Sequence, residues 1–145
     1  MTLTLNQHTK FIGLCIDSED PLKDLDATWA HLKERDKWEK PDGTTDEQVL
    51  FMTTCMETWI AADRNALSEH FGQHLQGAAL PPLNNLESRP RHDVQEKLFH
   101  ATRRCRNFYT KGKRSFEILG KLNPEELKKR LPSFVRICRI LSERL

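Results

Sequence analysis

Residues 77 to 91 read GAALPPLNNLESRPR, and this stretch limits the fold more than any other. Its three prolines lack the N–H that a helix ladder or central strand requires, and the paired asparagines favour turns. No regular element crosses it, so the chain should be two structured stretches joined by an irregular connection. A connection this long inside a compact domain is either a functional flap or a poorly ordered segment, and sequence alone leaves both open. The same connection divides the charge. Residues 1 to 75 hold 7 Lys and Arg against 14 Asp and Glu, a net −7, whereas residues 76 to 145 hold 16 against 7, a net +9. The formal total of +2 conceals this polarity.

At 145 residues, 37% hydrophobic and 30% charged, the composition is that of one soluble globular domain able to bury a core without disulfides or metal. The expected organisation is an acidic helical half over 1–76, the Pro-rich connection over 77–91, and a basic helical half over 92–145, within one compact domain. No apolar run approaches the 18 or so residues of a membrane span, and Met1 to Lys10 lacks the features of a secretory signal. Cys15, Cys55, Cys105 and Cys138 form no CxxC pair, which argues for reduced, mostly buried thiols and a cytoplasmic protein.

Helical periodicity supplies the remaining elements. Asn6 to Ile16 reads as a short helix or, from the alternation of Thr2 to Leu5, as a strand fragment. Asp20-Pro21 predicts a helix start, with Leu22, Leu25, Trp29 and Leu32 as its stripe, ending near Gly43. Thr44 or Thr45, with Glu47 or Gln48 three residues on, predicts a capping box for a helix buried through Val49, Met52, Met56, Trp59 and Ile60. Asp63 should cap a separate helix through Leu67 and Phe71; the alternative is a buried acid paired with an arginine. A long helix should run from about Asp93 to Leu119, because Val94, Leu98, Ala101, Cys105, Phe108, Gly112, Phe116 and Leu119 recur at steps of three and four. Asn123-Pro124-Glu125-Glu126 is the strongest helix start in the chain, with Glu126 placed to close a capping box. Leu127, Leu131, Phe134, Cys138, Leu141 and Leu145 form the final seam, with Pro132 marking a kink or restart and Lys129, Arg136 and Arg139 outward. The fold expected from these signals is all-α, a small bundle of about five to six helices, either as one body or as two subdomains split by the Pro-rich connection.

Catalytic signatures are missing. His70 and His74 have the i, i+4 spacing of two metal ligands, but HFGQH has neither a third ligand nearby nor the glutamate of HExxH. Cys105 lies among Arg103, Arg104 and Arg106, which would lower its pKa, yet the seam turns it inward. The acids from Asp17 to Asp26 have the wrong spacing for an EF-hand, and no phosphate-binding glycine loop or nucleophile elbow occurs. No enzyme, metal or cofactor is expected.

The one remaining constellation is ATRRCRNFYTKGKRSFEILGK, basic with interleaved aromatics. Arginine and lysine neutralise phosphates and release condensed counterions, and an exposed aromatic ring stacks on a base. On a continuous helix Arg103, Arg106, Lys113 and Arg114 face away from the seam with Arg104 and Lys111 on one flank, Tyr109 lies beside the seam, and Phe108 and Phe116 belong to the core. Gly112 on the seam would admit a close helix neighbour.

The order of segments resembles the small subunit of type I-E CRISPR surveillance complexes (Cascade), an all-helical family of similar length. The likeness covers residues 46 to 141: DEQVLFMTTCMETWIAAD as an apolar helix, RNALSEHFGQHLQ as a shorter one, then QEKLFHATRRCR with its basic continuation and NPEELKKRLPSFVRICRIL. The resemblance implies stacked copies in a ribonucleoprotein whose basic surface holds guide RNA and a displaced DNA strand. Those roles would fall on Arg103, Arg104, Arg106, Lys111, Lys113 and Arg114, with Arg136 and Arg139 as helpers. Expected partners are thus an RNA or single-stranded DNA backbone, other subunits, and further copies of the chain joined acidic end to basic end. The competing reading is a helical interaction adaptor whose basic half docks an acidic protein.

Overall fold

In the computed structural model residues 10–145 are described. The expectation for Thr2 to Leu5, and the start of the one for Asn6 to Ile16, lie outside that range. The described chain is not all-α. Strand β1 (Leu14–Asp17) and strand β2 (Val49–Met52) form a parallel pair, Leu14 opposite Val49 and Asp17 opposite Met52, and helix α1 (Thr28–Asp36) lies between them in the chain. Parallel strands cannot be joined by a tight turn, so the connection must cross over, and α1 is part of that crossover. Six further helices follow: α2 (Met56–Ala62), α3 (Arg64–Phe71), α4 (Arg91–Thr102), α5 (Lys113–Leu119), α6 (Pro124–Arg130) and α7 (Pro132–Arg144). The fold is therefore mixed α/β, mostly helical, and the all-α expectation is corrected.

The segment VLFM explains the error. Val49 and Phe51 pack with Leu32 of α1, while Leu50 packs with Ile137 and Ile140 of α7. A strand covered on both faces is apolar at every position and carries no alternation to set it apart from a buried helix. The Thr45 and Gln48 capping box does form, but it opens one 3-10 turn, Asp46–Gln48, and the chain then extends into β2. Helix α1 also starts late. Its first turn is held by Asp46, whose Oδ1 accepts the Trp29 N–H at 3.0 Å and the Thr28 hydroxyl at 3.2 Å. A partner 17 residues downstream, not Asp20, fixes that helix end.

Other expectations hold. Asp63 caps α3 by accepting the Ala66 N–H at 3.0 Å, and its second oxygen accepts the Asn123 N–H at 2.8 Å, so this buried acid is partnered by backbone and not by an arginine. Asn123 caps α6 through the Glu125 N–H, with Pro124 in the first turn, and Pro132 restarts the chain as α7. The capping box expected of Glu126 does not form; Glu126 pairs with Lys129 instead.

The Pro-rich connection is neither flap nor loose end. It contains 3-10 turns at Gly77–Ala79 and Leu86–Ser88, and each delivers a leucine inward. Leu80 joins the core of Ile60, Leu67, Phe71, Leu98, Tyr109 and Ile118; Leu86 joins that of Ala61, Val94, Leu127, Leu131 and Phe134. Both cores draw on residues before and after the connection, so the acidic and basic stretches are interleaved in space.

Candidate nucleic-acid interface

The long basic helix is broken. Helix α4 ends at Thr102, whose hydroxyl accepts the Tyr109 N–H at 2.9 Å, and two tight turns follow, with the Cys105 N–H bonded to Thr102 O and the Phe108 N–H to Cys105 O. Gly112 then takes φ +98°, a left-handed conformation that strains residues with a Cβ, and nothing lies within 4 Å of where its Cβ would be. Its purpose is the turn, not close helix packing. Ser115 braces that turn, its Oγ accepting the Gly112 N–H at 3.1 Å and donating to Gly112 O at 2.6 Å.

The break exchanges the aromatics. Tyr109 is buried and its phenol donates to Glu57 Oε1 at 2.9 Å, while Phe108 and Phe116, assigned to the core from the seam, are 38% and 64% exposed. Tyr109 is therefore an anchor and not a stacking surface. Burial and the Glu57 carboxylate push its phenol pKa upward. Cys105 faces inward as expected, and burial raises its thiol pKa, the reverse of an activated nucleophile.

Of the eight proposed cations, six form one exposed group. Arg103, Arg104, Arg106, Lys111, Lys113 and Arg114 are all exposed, and none forms an ion pair with a described residue. Arg114 donates to Phe108 O at 3.1 Å and sets its guanidinium 5.1 Å from the centre of the Phe108 ring. The remaining two cations are engaged elsewhere. Arg136 does not point outward: its guanidinium is buried against Val49 O at 3.0 Å, Asp46 O at 2.9 Å and Asp26 Oδ1 at 3.1 Å. Arg139 pairs with Glu47 and Glu143, and together with Arg144 it holds the Glu47 carboxyl below its ordinary range.

A second polar cluster lies under the basic segment. Asp17 ends β1, and burial, then the Glu57 carboxylate, raise its pKa; its Oδ1 is buried without a hydrogen-bond partner. Glu57, in the first turn of α2, also receives Gln95 at 3.5 Å. Among the described residues no group of three or more His, Cys, Asp or Glu is arranged to hold a metal ion. His70 sits with its Nδ1 2.9 Å from the Lys121 ammonium, and burial together with that cation lowers its pKa, so the ring is a neutral acceptor there. His74 is exposed. No described helix is long and apolar enough to cross a membrane.

The helix on which the Cascade resemblance opens, DEQVLFMTTCMETWIAAD, is a 3-10 turn, a strand and a helix, so that likeness extends at most from α3 to α7. Nothing in the comparisons with known proteins links the chain to such complexes. No curated protein and no solved structure matches it. The family described as "Domain of unknown function (DUF4276)" matches residues 2–142, nearly the whole length, and the chain belongs to that family.

Proposed function

We propose that the chain is a non-catalytic nucleic-acid-binding protein that grips RNA or a displaced DNA strand by its phosphates along residues 103–114, as one subunit of a larger ribonucleoprotein. One observation carries this reading: six exposed cations within twelve consecutive residues form no ion pair with a described residue, although 21 acids are present in the sequence. Phosphate contacts of this kind position a strand without reading its sequence. The CRISPR setting rests on the order of α3 to α7 alone, self-association on the charge polarity, and a cytoplasmic location on the unpaired cysteines.

The test is fluorescence anisotropy with labelled strands at several salt concentrations. Each phosphate contact to a single strand contributes about −0.7 to the slope of log K against log salt. The Arg103→Glu, Arg104→Glu, Arg106→Glu variant should lose binding while its circular dichroism stays unchanged, since all three side chains are exposed and none pairs with a described acid. A slope near zero in the parent protein, or unaltered binding by the variant, refutes the proposal. The exposed rings of Phe108 and Phe116 favour one second reading, docking of an acidic protein, in which binding energy concentrates in a few anchors.

A further inference from the structure

Three exposed phenylalanines each stand next to a cation of the basic segment. Phe99 is 50% exposed on the last turn of α4, four residues before Arg103, and Arg103 keeps helical backbone angles, so the two side chains are neighbours on one face. The Phe108 ring carries the Arg114 guanidinium. Phe116 is 64% exposed on α5, three residues after Lys113. Rings this exposed add little to the core. Their pairing with charge suits a ligand that offers a flat apolar face beside each anion.

We infer that Phe99, Phe108 and Phe116 are base-stacking platforms, so that the ligand held at residues 103–114 is single-stranded nucleic acid with unpaired, splayed bases, and duplex is discriminated against. The inference rests on the phosphate-binding reading above and adds a second component to it. In a duplex each base face is covered by its neighbours, and only base edges, sugars and phosphates are reachable, so these rings would find no face to stack on. In a single strand the faces are free, and stacking on an aromatic ring is tolerant of sequence because every base has a π-face. Arg114 over Phe108 extends that platform, since a guanidinium plane also stacks on bases.

The experiment compares a labelled single strand, the same strand made abasic, and a duplex, each titrated into the parent chain and into Phe99→Ala, Phe116→Ala. An abasic strand keeps the phosphates and removes what the rings would hold. The parent should bind the normal strand more tightly than the abasic one, by about tenfold for each ring engaged. The double variant should keep only the part of that preference that Phe108 supplies, about tenfold, with an unchanged salt slope, and Phe116→Tyr should retain stacking. Val135→Ala, at an exposed position on α7, is the control and should bind as the parent does. Equal parent affinity for normal and abasic strands, or for strand and duplex, overturns the inference while leaving the phosphate reading intact. Failure to bind any of the three removes both.

Discussion

Replacing Arg136 by alanine separates a structural role from a binding role more sharply than any other single change. The side chain is 7% exposed and joins α7 to both β2 and the turn before it. Val49 is fully buried, so without the guanidinium its carbonyl is left unpaired, at a cost of about 2 kcal/mol. Asp46 O keeps the Thr28 hydroxyl at 2.7 Å, so the second bond matters less, about 1 kcal/mol. Asp26 is 77% exposed, and an ion pair with so open a carboxylate contributes at most about 0.5 kcal/mol. The expected loss is therefore about 3 kcal/mol, a sizeable share of a typical domain's stability. In a chain of this size it lowers Tm by about 10 °C. Arg136→Lys should recover little of this, because an ammonium cannot reach two carbonyls and a carboxylate in one plane. Urea unfolding followed by circular dichroism measures the loss, and anisotropy at a temperature where the variant remains folded measures binding. Stability should fall and nucleic-acid affinity should stay within about twofold, roughly the shift expected if no phosphate contact is lost. An unshifted urea midpoint with weakened binding would refute the assignment and return Arg136 to the interface.

The buried acids give two further outcomes. Burial pushes the Glu87 carboxyl from its ordinary 4.5 up to about 7, although its oxygens accept the Ser133 N–H at the start of α7. Between those two values the unfolded chain releases a proton that the folded chain keeps, so stability should fall as pH rises through that window and level off above it. Glu87→Gln keeps an acceptor for Ser133 and should remove the slope; parallel urea-midpoint profiles for parent and variant from about pH 5 to 8 would show the reasoning to be wrong. Tyr109→Phe leaves buried Glu57 with only the long Gln95 contact and should cost about 2 kcal/mol in urea unfolding, with no change expected if the phenol is dispensable.

The elements legible in the sequence were those whose cause lies within a few residues. Asp63 and Asn123 bond N–H groups two or three positions on, and Pro132 breaks the ladder at its own position. Each is chemistry complete within one turn. The illegible elements depend on partners far along the chain. Asp46 sets the start of α1, and β2 is recognisable as a strand only through β1, α1 and α7 around it. Periodicity gave the right interior for Val94, Leu98, Ala101, Cys105 and Leu119 but failed for Phe108, Gly112 and Phe116, because the chain leaves the helical path after Thr102 and Tyr109 turns in to reach Glu57, 52 residues away. A helical wheel assigns an angle to a side chain; it does not say what is packed at that angle. Arg136 shows the same limit in reverse, since the polar side of α7 faces the Val49 and Asp46 carbonyls and not water.

That limit also changes what the charge polarity means. Counted by halves, the chain suggests an acidic body and a basic body that either attract one another or attract third parties. The fold engages some of the basic half's cations with acids and leaves others without an ion pair among the described residues. Arg91 pairs with Glu19, Arg136 with Asp26, and Arg139 and Arg144 with Glu47, so four cations of the basic half satisfy acids of the other. The six between Arg103 and Arg114 form no such ion pair, and the break after Thr102 and the turn at Gly112 leave them exposed on a segment tied down by Cys105 and Tyr109. Like charges crowded on one short segment repel, and Asp17, the acid that feels the Lys111 charge, forms no ion pair with any of the six. The described fold instead places aromatic rings beside them. Ion pairing thus accounts for the polarity along α7 and leaves residues 103–114 as a dense run of exposed cations that it does not engage.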